Sequence, residues 1–91
     1  MSSSKSFSNL TQEVWNCVQT TSVRDHGTKY TPPPPSNKGT SSTGTAVGQI
    51  DLTYDFDPSA GVVHYTITHK PFVVTQNEIW NGIQKTIDGC R

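Results

Sequence analysis

The sequence predicts an α+β fold, in which a small antiparallel sheet carries two helices on one face. Polar and apolar residues alternate through 47–57 and again through 62–70, and the Pro- and Gly-containing segment between these ranges is typical of a hairpin turn. A helix is predicted over 76–88, because Thr75 and Glu78 have the spacing of a capping box and Val74 and Ile79 that of a hydrophobic staple.

The alternation also predicts how the two hairpin strands pair. Pairing Asp57 with Val62 places Asp55 opposite His64, position 51 opposite 68 and position 49 opposite 70. The apolar residues then share one face, on which we expect both helices to lie, and the other face is polar along its whole length. His69 is expected at the end of the apolar face, partly buried.

The first helix is predicted over 9–20, with Ser8 or Asn9 as its N-cap. Its apolar stripe is formed by Leu10, Val14, Cys17 and Val18. The β-branched and hydroxyl residues of 20–23 are expected to end it, and 24–27 to form a turn. Residues 28–31 are predicted as a short edge strand. Similar segments around Trp15 and Trp80 suggest that each indole covers a margin of the sheet.

Two polar segments lower the apolar content of the chain. Residues 1–6 are predicted to be disordered, and 31–45 to form a long flexible loop rich in Pro, Gly, Ser and Thr within a single domain over 7–91. The four consecutive prolines 32–35 are expected to adopt an extended polyproline II conformation.

Composition excludes several classes of partner. The seven basic and seven acidic residues give a formal net charge of zero without any run of either sign. Nucleic-acid binding requires clustered Lys or Arg, so no nucleic acid is expected. No apolar stretch has the length of a membrane-spanning helix, and no cofactor motif is present.

The two cysteines leave two alternatives. Cys17 and Cys90 are predicted to form a disulfide, which suits an exported protein with a small core. The alternative is a cytoplasmic protein with two free thiols.

The candidate catalytic and metal groups have simpler explanations. Asp55, Asp57 and Ser59 have the spacing of a calcium loop, but Ala60 and Thr66 stand where such a loop needs Gly and Glu. We therefore expect turn chemistry here. Asp55 and His64 are expected to form a surface cross-strand pair. The sequence predicts neither a metal site nor an enzyme.

The resulting functional hypothesis is a small secreted binding module, stapled by the disulfide, that acts by surface contact as a hydrolase inhibitor or as a carbohydrate or receptor binder. The contact residues are predicted on the long loop and on the polar sheet face: Tyr30, Pro32, Pro33, Pro34, Pro35, Asp51, Asp55, His64, Thr66 and Lys70. The protein is expected to be a monomer or a homodimer. The alternative is an intracellular structural or interaction protein with free thiols that oligomerises through its helices.

Overall fold

The computed structural model describes residues 3–91. The elements in chain order are β1 (Ser3–Phe7), α1 (Gln12–His26), β2 (Lys29–Thr31), β3 (Lys38–Thr45), β4 (Gly48–Asp57), β5 (Val62–His69) and α2 (Gln76–Cys90). The strands form one antiparallel sheet in the order β1-β5-β4-β3-β2. This confirms the predicted α+β class and its hairpin-based sheet.

The β4–β5 hairpin has the predicted register from its turn as far as Leu52, which pairs with Ile67. An irregularity then lies between Asp51 and Leu52, so that Asp51 pairs with His69. The predicted pairs 51–68 and 49–70 are therefore wrong. Residues that pair directly point to the same face of a sheet, so His69 is carried to the polar face, where it is exposed instead of partly buried.

Two segments that the sequence predicts as irregular are strands. Residues 3–6, predicted to be disordered, pair with β5 as part of β1, while residues 1 and 2 lie outside the described residues. Residues 38–45, predicted as part of a flexible loop, form β3 between β2 and β4. The connection from β2 to β3 is therefore limited to residues 32–37. The predicted edge strand near 28–31 is present as β2.

Helix α1 is displaced from its predicted range at both ends. Thr11 is the N-cap, and its side chain accepts a hydrogen bond from the Val14 N–H at 3.1 Å. The helix extends to His26. Gly27 ends it by adopting the left-handed conformation (φ 64°). The hydroxyls of Thr20 and Ser22 donate to backbone carbonyls one turn earlier, so they do not interrupt the helix.

Helix α2 begins as predicted. Thr75 is its N-cap and accepts a hydrogen bond from the Glu78 N–H at 3.2 Å. The Glu78 carboxylate accepts from the Thr75 hydroxyl at 3.3 Å, which differs from the backbone bond of a complete capping box.

The core lies between the helices and the apolar sheet face, and Trp15 is at its centre. The Trp15 side chain is fully buried and stacks on Phe56, with 5.5 Å between ring centroids. It also meets Tyr54 at 5.4 Å and Tyr65 at 6.1 Å. Trp80 packs near the β1 edge, against Phe7. The expectation of a marginal position thus suits Trp80 but is wrong for Trp15.

The predicted disulfide between Cys17 and Cys90 is present, with the two Cα atoms 5.8 Å apart. It joins the middle of α1 to the end of α2. Both cysteines are therefore disulfide-bonded, and the alternative with two free thiols does not describe this structure.

Replacing Cys17 and Cys90 together with alanine should lower the free energy of unfolding by about 4 kcal/mol, because the bond closes a loop spanning 73 residues. Urea unfolding at neutral pH measures this difference. The matched control is Thr21→Ala, since the Thr21 hydroxyl lies 3.8 Å and 3.6 Å from the two sulfurs. The control should lose about 1 kcal/mol or less. A double variant as stable as the wild type would contradict this account.

Candidate functional site

The sheet face opposite the helices, called the open face below, is a continuous polar surface. Its side chains include Ser4, Ser6, Lys29, Thr31, Lys38, Thr40, Ser42, Gln49, Asp51, Thr53, Asp55, His64, Thr66 and His69. One row crosses all five strands with a hydroxyl at every position, in the order Ser4, Thr66, Thr53, Thr40, Thr31. With strands about 4.8 Å apart, this row spans roughly 19 Å.

The next row of the open face brings together groups that the sequence did not connect. Ser6 lies beside His64, and its Oγ is 2.5 Å from the imidazole Nδ1. Asp55 is the cross-strand partner of His64, as predicted, but its carboxylate lies 3.9 Å from Lys38 Nζ and makes no hydrogen bond to the imidazole within residues 3–91. These exposed groups therefore do not form a nucleophile, base and orienting carboxylate acting in series.

The suspected calcium loop is a hairpin turn. The Asp57 carboxylate accepts hydrogen bonds from the backbone N–H groups of Ser59 and Ala60, at 2.9 Å and 3.3 Å. This is the turn chemistry that the sequence indicates. Across the described part of the chain, no group of three or more His, Cys, Asp or Glu residues is placed to hold a metal ion.

The proline segment is exposed but anchored through Ser36, directly after it. The backbone N–H of Ser36 donates to the side-chain carbonyl of Gln19 at 3.0 Å, and its carbonyl accepts from the Trp15 indole N–H at 2.9 Å. Its hydroxyl lies 2.6 Å from that of Tyr54. The backbone of 32–37 bends repeatedly, so the expected extended polyproline II conformation is not adopted. The contact role of Pro32–Pro35 stays a prediction.

Lys70 serves the loop after β5 and not the open face. Its Nζ donates to the Val74 carbonyl at 2.7 Å, and the Val74 N–H donates to the Pro71 carbonyl at 3.1 Å. These two bonds close a turn with Phe72 and Val73 at its corner. The predicted position of Lys70 on the polar face is therefore wrong.

This turn presents apolar side chains to solvent. Phe72 is 98% exposed and Val73 64%, and Val47, in the neighbouring β3–β4 turn, is 57% exposed. The two turns are adjacent, because a Cβ built on Gly48 would lie 2.9 Å from the Pro71 ring. We call Val47, Phe72 and Val73 the apolar tip.

Tyr30 belongs to the helix side of the sheet. Its ring packs edge-on against Tyr54 at 5.5 Å, and it lines a cavity of about 250 Å³ between the two helices and strands β2–β5. Tyr65, from β5, lines the same cavity. Burial, with a smaller effect of the neighbouring Tyr30 and Tyr54 phenols, holds the pKa of Tyr65 well above its ordinary value.

Three features of this surface were missed by the sequence reasoning. Ser6 was assigned to a disordered segment, and neither the apolar tip nor the cavity was expected. A signal for the tip was present in the run Pro71-Phe72-Val73-Val74, where apolar residues continue between strand and helix. In the sequence prediction, Val74 alone has a role, as the staple residue before α2. Asp51, Asp55, His64 and Thr66 do lie on the open face, and their binding role stays a prediction.

Comparison with known proteins gives no match: no family model fits the chain, and no curated protein or solved structure resembles it at a significant level. In the described part of the chain, no helix has the length and apolar character needed to cross a membrane.

The raised pKa of Tyr65 predicts a loss of stability at alkaline pH. In the unfolded chain the Tyr65 phenol has the ordinary Tyr pKa of 10.0, and in the folded protein its pKa is higher. The folded protein therefore keeps the phenol proton to a higher pH than the unfolded chain does. The contribution of the protonated Tyr65 phenol to the free energy of unfolding is thus fully present below about pH 10 and declines as the pH rises further. Urea unfolding between about pH 8 and 11 should show this decline, and a shallower one for Tyr65→Phe. Identical pH slopes for the two proteins would contradict the assignment.

Proposed function

We propose that this protein is a secreted-type binding module that docks on a protein partner through the apolar tip. The observation that carries the proposal is the near-complete exposure of Phe72 beside Val73 and Val47. Single exposed apolar residues are ordinary, whereas an apolar cluster on adjoining turns is typical of an interaction surface. Burial of Phe72 in a partner would contribute about 1.5–3 kcal/mol.

The surroundings of the tip support this role. The nearby end of the sheet carries Gln49, Asp51 and His69, which are polar and at least partly exposed. An apolar centre with a polar rim is the usual anatomy of a protein–protein interface. The turn that presents Phe72 is closed by two hydrogen bonds, from Lys70 and from Val74, so little conformational freedom would be lost on binding.

The disulfide supports the compartment and the kind of partner in this proposal. A disulfide is compatible with an extracellular location, where such bonds persist. The partner is then a secreted hydrolase or a receptor domain. The inhibitor hypothesis based on the 31–45 segment loses support, because β3 occupies most of that segment. The tip replaces it as the contact region.

Replacement of Phe72 with serine should weaken binding to the partner by at least about tenfold, because an aromatic anchor is lost from the interface centre. The measurement is surface plasmon resonance against purified secreted hydrolases and receptor domains. Val23→Ser is the matched control, since Val23 is an exposed valine (43%) on α1 and not a residue of the tip. A partner that binds both variants equally well would exclude the tip as the contact.

A glycan is the second candidate, favoured by the row of five hydroxyls across the open face. If an extended polysaccharide binds along this row, Thr53→Val should reduce retention on a glycan array, because it removes the central hydroxyl while keeping a residue suited to strands. Phe72→Ser should leave that retention unchanged. Loss of glycan binding in Phe72→Ser alone would contradict the open-face site.

A further inference from the structure

The cavity between the helices and the sheet has apolar walls. Val18 of α1, Ile79 and Ile83 of α2, and Ile50 and Leu52 of β4 contribute to its lining. Its volume, about 250 Å³, lies just below the range of sites for drug-sized molecules, roughly 300–1,000 Å³. The cavity is therefore of a size for a small molecule and not for a peptide.

Two residues that line this cavity carry hydroxyls without a protein hydrogen-bond partner. Tyr65 and Ser41 are each 4% exposed, and neither side-chain hydroxyl makes a hydrogen bond to any group in residues 3–91. No fully buried side-chain polar atom in these residues lacks a partner, so both hydroxyls are reached by solvent. By contrast, Thr28 and Thr43 on the same wall satisfy each other, with 2.7 Å between their hydroxyl oxygens. Both hydroxyls therefore have free hydrogen-bonding capacity, and they mark where a polar group of a ligand would be bound.

We propose that the cavity binds a small uncharged amphiphile, whose apolar body packs on the isoleucine walls and whose single hydroxyl or carbonyl group bonds to Tyr65 and Ser41. Sites with mostly apolar linings and a few convergent polar groups are the usual form of small-molecule sites. This site is separate from the apolar tip and from the open face, and it does not depend on either proposed contact.

The ligand is uncharged because of what lines the cavity. Its buried polar groups are neutral hydroxyls, and the two lining residues with titratable charged groups, His26 and Glu78, are exposed. An ion packed against the apolar walls would lose hydration there without a buried opposite charge beside it.

Helix α2 offers a way to close the cavity without disturbing the fold. Gly82 contributes to the lining, and a Cβ added there meets no atom within 4 Å. Leucine is also a better helix former than glycine, so Gly82→Leu should fold at least as well as the wild type. Gly89 lies on the same helix with the same free space and is not part of this cavity, so Gly89→Leu is the matched control.

The experiment uses 2-naphthol, which has a two-ring apolar body and one hydroxyl, and naphthalene, which lacks the hydroxyl. Binding is measured by NMR titration of the intact disulfide-bonded protein at neutral pH. We expect saturable shifts of the Ile50, Ile79 and Ile83 methyl signals, and binding of 2-naphthol that is roughly fivefold tighter than that of naphthalene. Gly82→Leu should weaken both by at least about tenfold, while Gly89→Leu should not.

Tyr65→Phe tests the polar end of the site. This variant should bind 2-naphthol and naphthalene with nearly equal affinity, because the hydroxyl that distinguishes the two probes is gone. Its affinity for naphthalene should equal that of the wild type. Absence of saturable shifts at the three isoleucines, or binding that Gly82→Leu leaves intact, would overturn the cavity assignment. Equal affinity of the two probes for the wild type would overturn the role of Tyr65.

Discussion

Burial of the Trp15 side chain is the interaction on which the rest of this structure depends. Its ring contacts Tyr54 and Phe56 from β4 and Tyr65 from β5, so a single residue of α1 is fixed against both arms of the hairpin. Its indole N–H donates to the Ser36 carbonyl, which also sets the path of the connection between β2 and β3. Truncation of a buried Trp typically costs about 3–5 kcal/mol, a large share of the stability of a small domain.

The placement of Trp15 also explains why space remains under the helices. With α1 over the middle of the sheet and Trp80 of α2 packed near the β1 edge, the β2–β3 side receives less cover. The disulfide ties the end of α2 to the middle of α1, and Ile79 and Ile83 of α2 form one wall of the space that remains. The result is a cavity bordered by Ser41 and Tyr65, whose hydroxyls would be satisfied only by a guest molecule or by solvent.

The surface divides into regions with different physical chemistry. The open face offers hydroxyls and mixed charges on a rigid sheet, and the apolar tip offers exposed hydrophobic area on a short turn. Exposed Phe72 contributes nothing to the core, whereas the Lys70 bond to the Val74 carbonyl helps to hold the turn that presents it. The turn is ordered although both of its corner side chains are exposed. A preformed contact surface requires this combination.

Local sequence patterns by themselves determined the β4–β5 register near its turn, the Thr75 cap of α2 and the residues of the disulfide, because each depends on neighbouring residues or on having just two cysteines. Tertiary structure alone decided β1 and β3. Their Ser-, Thr- and Gly-rich sequences carry little apolar alternation, and they become strands because β5 and β4 present unpaired backbone edges to them. The same holds for the burial of Tyr65 and Ser41 and for the exposure of Phe72, since residue type alone does not fix burial, which also depends on which elements pack together.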